Sequence, residues 1–286
     1  MTAQPAAPTV REETVPLEGL SEIGLHIDRG GIEVETADVT EVRIVLTAHD
    51  PSGVQAVRDA RIEAVGPRLL VDTRYGGAGK SAQTFSEMFS ALGRGAGGDW
   101  VDRMKTGAAQ FVRGNGDARV DVCVQIPAGF RAVLETGRGD VRSRGDLERV
   151  ESRVGAGSVT IDAVETAKVE IGTGPIRIER GGDLLLRAGT SEVHLGETRG
   201  DARIALGSGS TIVDSAREGR VAFKAGSGDL TVGVPEGTAA KVDFVSASGD
   251  KDIALTPTDA PGAEVRRVEI DMKAAAGRLR VRRSQA

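Results

Sequence analysis

The chain has 286 residues and a formal net charge of -5 with both signs interspersed, so no domain-wide basic field exists to hold nucleic acid. Its 39 glycines and 3% aromatic content point to a repetitive β structure with a narrow Val, Ile, Leu and Ala interior, and argue against a packed aromatic cleft. Cys123 is the only cysteine, which excludes an internal disulfide and agrees with a reducing compartment.

In chain order, Met1 to Pro16 mixes alanines, prolines and charges, without the basic n-region and apolar stretch of a signal peptide; residues 1–16 read as a disordered N-terminal tail. No later segment reaches the roughly 18 uninterrupted apolar residues of a membrane-spanning helix. The expected product has no membrane span and is cytoplasmic. Residues 17–73 read as irregular first β coils or a capping sheet. Leu25-His-Ile27, Ile32-Glu-Val34, Val42-Arg-Ile44-Val-Leu46 and Leu69-Leu-Val71 alternate or run apolar, and Gly30-Gly31 and Pro51-Ser-Gly53 punctuate them.

From 74 to 118 the alternation stops, and the pattern predicts a helical hairpin inserted into the β structure. Phe85, Met88, Phe89 and Leu92 fall at i, i+3, i+4 and i+7, with Ser81 as N-cap. A second run places Trp100, Val101, Met104, Ala108, Phe111 and Val112 on one face, with Asp99 as N-cap. Five of the chain's eight aromatics lie in this stretch, and aromatics and Met are enriched at interface centres. Phe85, Met88, Phe89, Leu92, Trp100, Met104 and Phe111 are therefore candidate interface residues. The competing reading has the same stripe packing on the solenoid as a cap. Deleting 76–115 separates the two: lost association marks an interface, and an unfolded chain marks a cap.

The same stretch holds a phosphate-loop decoy. Gly76-Gly-Ala-Gly79-Lys80-Ser81 follows a strand and precedes a helix, but the position that needs the leading glycine is Arg74. A flexible helix start with Ser81 as cap accounts for it.

Residues 119–283 repeat. Val120 to Ile126 and Pro127-Ala-Gly129 lead into Gly137-Arg-Gly-Asp-Val, Gly155-Ala-Gly-Ser-Val, Gly172-Thr-Gly-Pro-Ile, Gly189-Thr-Ser-Glu-Val, Gly207-Ser-Gly-Ser-Thr, Gly226-Ser-Gly-Asp-Leu and Ala247-Ser-Gly-Asp-Lys, with starts 18, 17, 17, 18, 19 and 21 residues apart. Each unit has room for two or three short strands, and apolar residues alternate within it, as in Val159, Ile161, Val169 and Ile171. Such units must stack to bury a core. The predicted fold is all-β, a parallel β-helix or solenoid of about 18 residues per coil, with glycine corners and a two-helix insertion. Val265 to Val281 reads as a last strand pair closing the far end.

Chemical constellations are thin. His26, His49 and His194 are scattered, which gives no metal-ligand spacing. Cys123, in a strand-like run, reads as an inert half-buried thiol. Arg-Gly-Asp triplets at 138–140, 144–146 and 199–201 suit turns, as do the recurring Asp140, Asp229 and Asp250, whose spacing does not match a calcium-binding repeat. No catalytic residue, cofactor or metal is assigned. Glycan-active β-helices work through clustered carboxylates or a basic Arg or Lys in an aromatic-lined groove, and aromatics are nearly absent from these repeats.

The units at Gly226-Ser-Gly-Asp229-Leu and Ala247-Ser-Gly-Asp250, with Val124-Gln-Ile126-Pro127 before the first coil, resemble the bacterial putative-adhesin family of glycine-rich β-strand-repeat proteins, a domain of unknown function. The resemblance covers about 20–283, with the helical insertion as a departure. It implies a parallel β-helix without assigned catalytic residues. The resulting expectation is a non-enzymatic scaffold or assembly module that binds itself or another protein through the insertion or the solenoid ends. The alternative is a glycan-binding or glycan-active β-helix.

Overall fold

The computed structural model describes residues 9–74, 118–255 and 266–284. In chain order these form β1 (Thr9–Pro16), β2 (Glu22–Arg29), β3 (Ile32–Thr36), β4 (Glu41–Ala48), α1 (Pro51–Arg58), β5 (Arg61–Val65) and β6 (Arg68–Asp72). Beyond the insertion come β7 (Val120–Ile126), β8 (Arg131–Arg138), β9 (Val141–Ala156), β10 (Val159–Thr173), β11 (Ile176–Thr190), β12 (Val193–Thr198) and β13 (Ala202–Ser208). The last are β14 (Thr211–Ala216), β15 (Gly219–Ser227), β16 (Leu230–Val234), β17 (Thr238–Ser248), β18 (Lys251–Ile253), β19 (Arg266–Ala276) and β20 (Leu279–Arg283).

The strands wind into two rows facing across one core. The parallel register Val141↔Val159↔Ile176↔Val193↔Thr211↔Leu230 stacks each unit on the next, one repeat apart. The all-β solenoid expected from the repeat is therefore the observed fold. Period-two alternation sends Val159, Ile161, Val169, Ile171, Ile176 and Ile178 inward, each at most 1% exposed. Coil one is a residue longer than coil two because the register shifts at Ile161/Ala163. Ile161 sits beneath Ile178 and above Ser143. Ile161→Val should cost about 1 kcal/mol, the usual price of one buried methylene, as read by denaturant unfolding. A cost above about 3 kcal/mol would mean that the coils cannot relax independently.

At both ends the order in space departs from the order in the chain. β2 and β3 lie between the β6/β7 coil and the β8/β9 coil. Likewise β19 and β20 are inserted between β15/β16 and β17/β18. The final strand pair thus does not close the solenoid, as the sequence reading had it. It is an interior coil, and among the described residues the penultimate pair, β17 and β18, lies outermost.

The N-terminal end is capped. β5 runs antiparallel to β6, and β1 and β7 run antiparallel to β4 on its two sides. Helix α1 joins β4 in one row to β5 in the other and packs on β4, β1 and β7, with Gly53 and Val57 buried. Asp50 is its N-cap, accepting from Gly53 N at 2.5 Å, and Pro51 supplies the preset φ of the first turn. The expectation of a disordered tail over 1–16 is corrected for 9–16, which form β1. Val10, Glu12, Thr14 and Pro16 form the exposed side of the strand, and Arg11 and Glu13 the half-buried side. Arg11 also reaches across to donate to Val57 O and Ala60 O at 3.1 and 3.0 Å, at the C-terminal end of α1.

The helical hairpin expected over 74–118 lies, but for its first and last residues, outside the described residues. The chain departs beside β2, where Thr73 N donates to His26 O, and returns beside it, where Arg119 bridges Arg29. Residues 75–117 are thus inserted at one corner of the end coil.

Candidate interaction surface

The repeated polar residues are committed to holding coils together. Asp140 accepts from Ser158 N and Oγ at 2.9 and 2.6 Å, Asp229 from Arg278 N at 2.7 Å, and Asp201 from Arg220 N at 3.2 Å. Two Arg-Gly-Asp triplets therefore point their aspartate at the next coil. The third aspartate, Asp146, pairs with Arg180 at 3.4 Å. Asp250 instead lies 3.7 Å from the Arg278 guanidinium. These are the turn roles that Asp140 and Asp229 were expected to fill.

The three histidines do not converge. His49 and His194 each meet one aspartate, Asp121 and Asp214, at 2.6 Å, while His26 meets Glu135 at 2.9 Å. No cluster of three metal-ligating side chains occurs among the described residues. In β7, burial and the nearby Glu33 and Glu35 push the Cys123 thiol up from its ordinary value, which suits an inert thiol rather than a nucleophile. Lys80 and Ser81 of the phosphate-loop decoy lie outside the described residues.

One groove of about 480 Å³ follows the corner opposite the glycines, lined in part by Asp146, Glu148, Glu165, Arg180, Glu197 and Arg199. Burial would raise the Glu197 carboxyl, but hydrogen bonds from Arg199 and Arg217, each at 2.5 Å, override it and hold the group below its ordinary value. A carboxylate held ionised in this way is a poor general acid.

The outer end coil is the feature without a structural task. In β19 the inward residues Val268, Ile270 and Met272 are at most 1% exposed. Their counterparts in β17, Ala240, Val242 and Phe244, are only partly covered, because no described coil lies beyond them. Val245 is 62% and Ile253 39% exposed. Among the described residues β17 pairs with β19 and β18 with β20, each on one side alone. Neither strand contains a proline or a register shift; Lys241 and Asp243 in β17 and Lys251 and Asp252 in the three-residue β18 are the only edge charges of the kind that blunts strand pairing among the described residues there. Lys241 and Asp243 stand on the outer face, 3.6 Å apart and 67% and 61% exposed.

The candidate interface residues Phe85, Met88, Phe89, Leu92, Trp100, Met104 and Phe111 all lie outside the described residues. The solenoid ends were expected to bind, but that 238–253 forms one of them was not legible, because its strand reads like any other repeat. The available signal was the last unit, where Lys251-Asp252 breaks the apolar alternation before Thr256-Pro-Thr-Asp-Ala-Pro261.

Several solved structures align with the chain at low similarity. One described as a putative adhesin from Bacteroides fragilis has 10% identity and a TM-score of 0.39, with 98% of this chain and all of that one covered. Another, described as a putative adhesin from Parabacteroides merdae, has 9% identity and a TM-score of 0.36, covering 94% and 95%. A third, described as a putative cell adhesion protein from Clostridium sporogenes, has 9% identity and a TM-score of 0.30, covering 97% and 100%. No curated protein matches. The Toastrack DUF4097 family matches residues 121–285, more than half of the chain and the whole run of regular coils, and the chain belongs to that family.

Proposed function

We propose that the protein is a non-enzymatic interaction module, a β-solenoid that presents one end of its core to a protein partner. The observation that carries this reading is the outer end coil, which leaves Val242 and Phe244 partly uncovered, whereas at the other end α1 packs Val57 into the core. Uncovered apolar surface beside unpaired strand groups favours strand addition by another chain. The stripe from Phe85 to Phe111 is the second surface in this reading, supported by the sequence pattern alone. The single cysteine fits a reducing compartment, and the proposed setting is the cytoplasm.

A panel of oligosaccharides and chromogenic glycosides tests the reading against a glycan-active one. The expected result is no turnover and no saturable binding. Turnover that disappears in Glu197→Gln would replace the interaction reading with catalysis in the corner groove.

A further inference from the structure

The end coil also specifies what it binds, an inference that rests on the interaction reading. Ser248 O accepts from Gly277 N at 3.1 Å, so the even-numbered residues of β17 turn their backbone groups toward β19. In a parallel pair, successive residues alternate sides. Ala239, Lys241, Asp243 and Val245 therefore direct N–H and C=O groups to the side on which no described strand lies. Side chains alternate with the same period: Val242 and Phe244 face the core, and Lys241, Asp243 and Val245 face out.

This strand is complementary to itself. We propose that the protein forms a two-fold dimer in which β17 pairs antiparallel with β17 of a second copy, the axis passing through Val242. In that register Lys241 lies opposite the partner's Asp243, and Asp243 opposite the partner's Lys241, as hydrogen-bonded pairs on the outer face. Ala239 meets the partner's Val245 on that face, while Ala240 meets the partner's Phe244 over the core. Moving the axis to residue 241 or 243 sets Lys241 against Lys241 or Asp243 against Asp243. A half-step shift would place core-facing residues opposite outward ones. Charge and face therefore select one register. Because the pairing uses the same surface on both copies, it closes at two.

Light scattering on the full chain across a concentration series should give twice the 29.7 kDa chain mass. Lys241→Asp and Asp243→Lys each bring like charges together twice across the axis and should weaken the dimer about tenfold or more. Carrying both changes restores opposite charges and should return the dissociation constant to within about threefold of the original. Both residues are more than half exposed, so the fold should survive, as far-ultraviolet circular dichroism would check.

A monomer at every concentration, growth beyond two copies, or a double variant as weak as the singles would overturn the dimer. Monomers without glycoside turnover would sink the second copy as partner and leave the interaction reading standing. Turnover lost in Glu197→Gln would sink that reading as well.

Discussion

Gly157→Ala should destabilise the solenoid by roughly 4 kcal/mol, in the range where a single change is diagnostic. Gly157 sits at a corner with φ of +152°, and a Cβ built there would lie 1.9 Å from Gly139 O and 2.6 Å from its carbonyl carbon. The blocking atoms are backbone, so no rotamer change can clear them. The coil would have to move, but Gly157 N donates to Thr173 O at 3.1 Å, and Gly174 is packed on Gly157 as tightly as Gly157 is on Gly139. Displacement at one corner thus loosens three coils. Gly129→Ala is the control. There φ is +78° and nothing stands within 4 Å, so only the left-handed backbone cost of about 1–2 kcal/mol applies. Denaturant unfolding of both variants separates close stacking from backbone strain. Equal losses would mean that the corners are held by conformation alone.

That corner also marks how far the sequence could be read. The recurrence of Gly137, Gly155 and Gly172, with apolar residues on a period of two between them, is local and repeats unit by unit. It therefore gave the solenoid, the coil length and the inward set Val159, Ile161, Val169 and Ile171. The order of the end coils is a different kind of fact. β2 and β19 have the alternation of any interior strand, and nothing in Leu25-His-Ile27 or Val268-Glu-Ile270 says which strand lies on the far side. That choice is made by long-range pairing, as in Gly24↔Val133 and Ala222↔Asp271.

The same reason hid the candidate surface. An edge differs from an interior strand by what is missing beside it, and Lys241-Val-Asp-Phe244 is a sound interior strand until the final coil inserts behind it. Helix α1 was missed on a local signal. Asp50-Pro51 is an N-cap followed by a first-turn proline, but with eight residues the segment is too short for its period to outweigh the turn reading of Pro-Ser-Gly.

Glu135→Gln should cost about 2 kcal/mol at neutral pH, because it removes the buried carboxylate that His26, Arg74 and Arg153 share, although Arg74 keeps Asp72 and Arg153 keeps Glu170. Glu135 is 3% exposed on β8, and His26 Nδ1 donates to it at 2.9 Å from β2. Arg153 approaches at 3.4 Å and Arg74 at 3.8 Å. Burial alone would raise the carboxyl. The His26 hydrogen bond, with the charges of His26, Arg74 and Arg153, outweighs it and holds the group below its ordinary value of 4.5. A folded-state value below the unfolded one stabilises the fold fully at pH above about 4.5 and loses that contribution as pH falls through the folded value.

The gap between wild type and Glu135→Gln should therefore be wide at pH 7 and narrow at pH 3. A gap of the same size at both would mean that the carboxylate is not the source. This cluster lies next to the corner where residues 75–117 are inserted, at the capped end of the solenoid. Because a solenoid's coils interact mainly with their neighbours, Glu135→Gln should loosen that end and leave self-association through β17 unchanged at pH 7. Loss of the dimer in Glu135→Gln would show that the two ends are coupled through the stack.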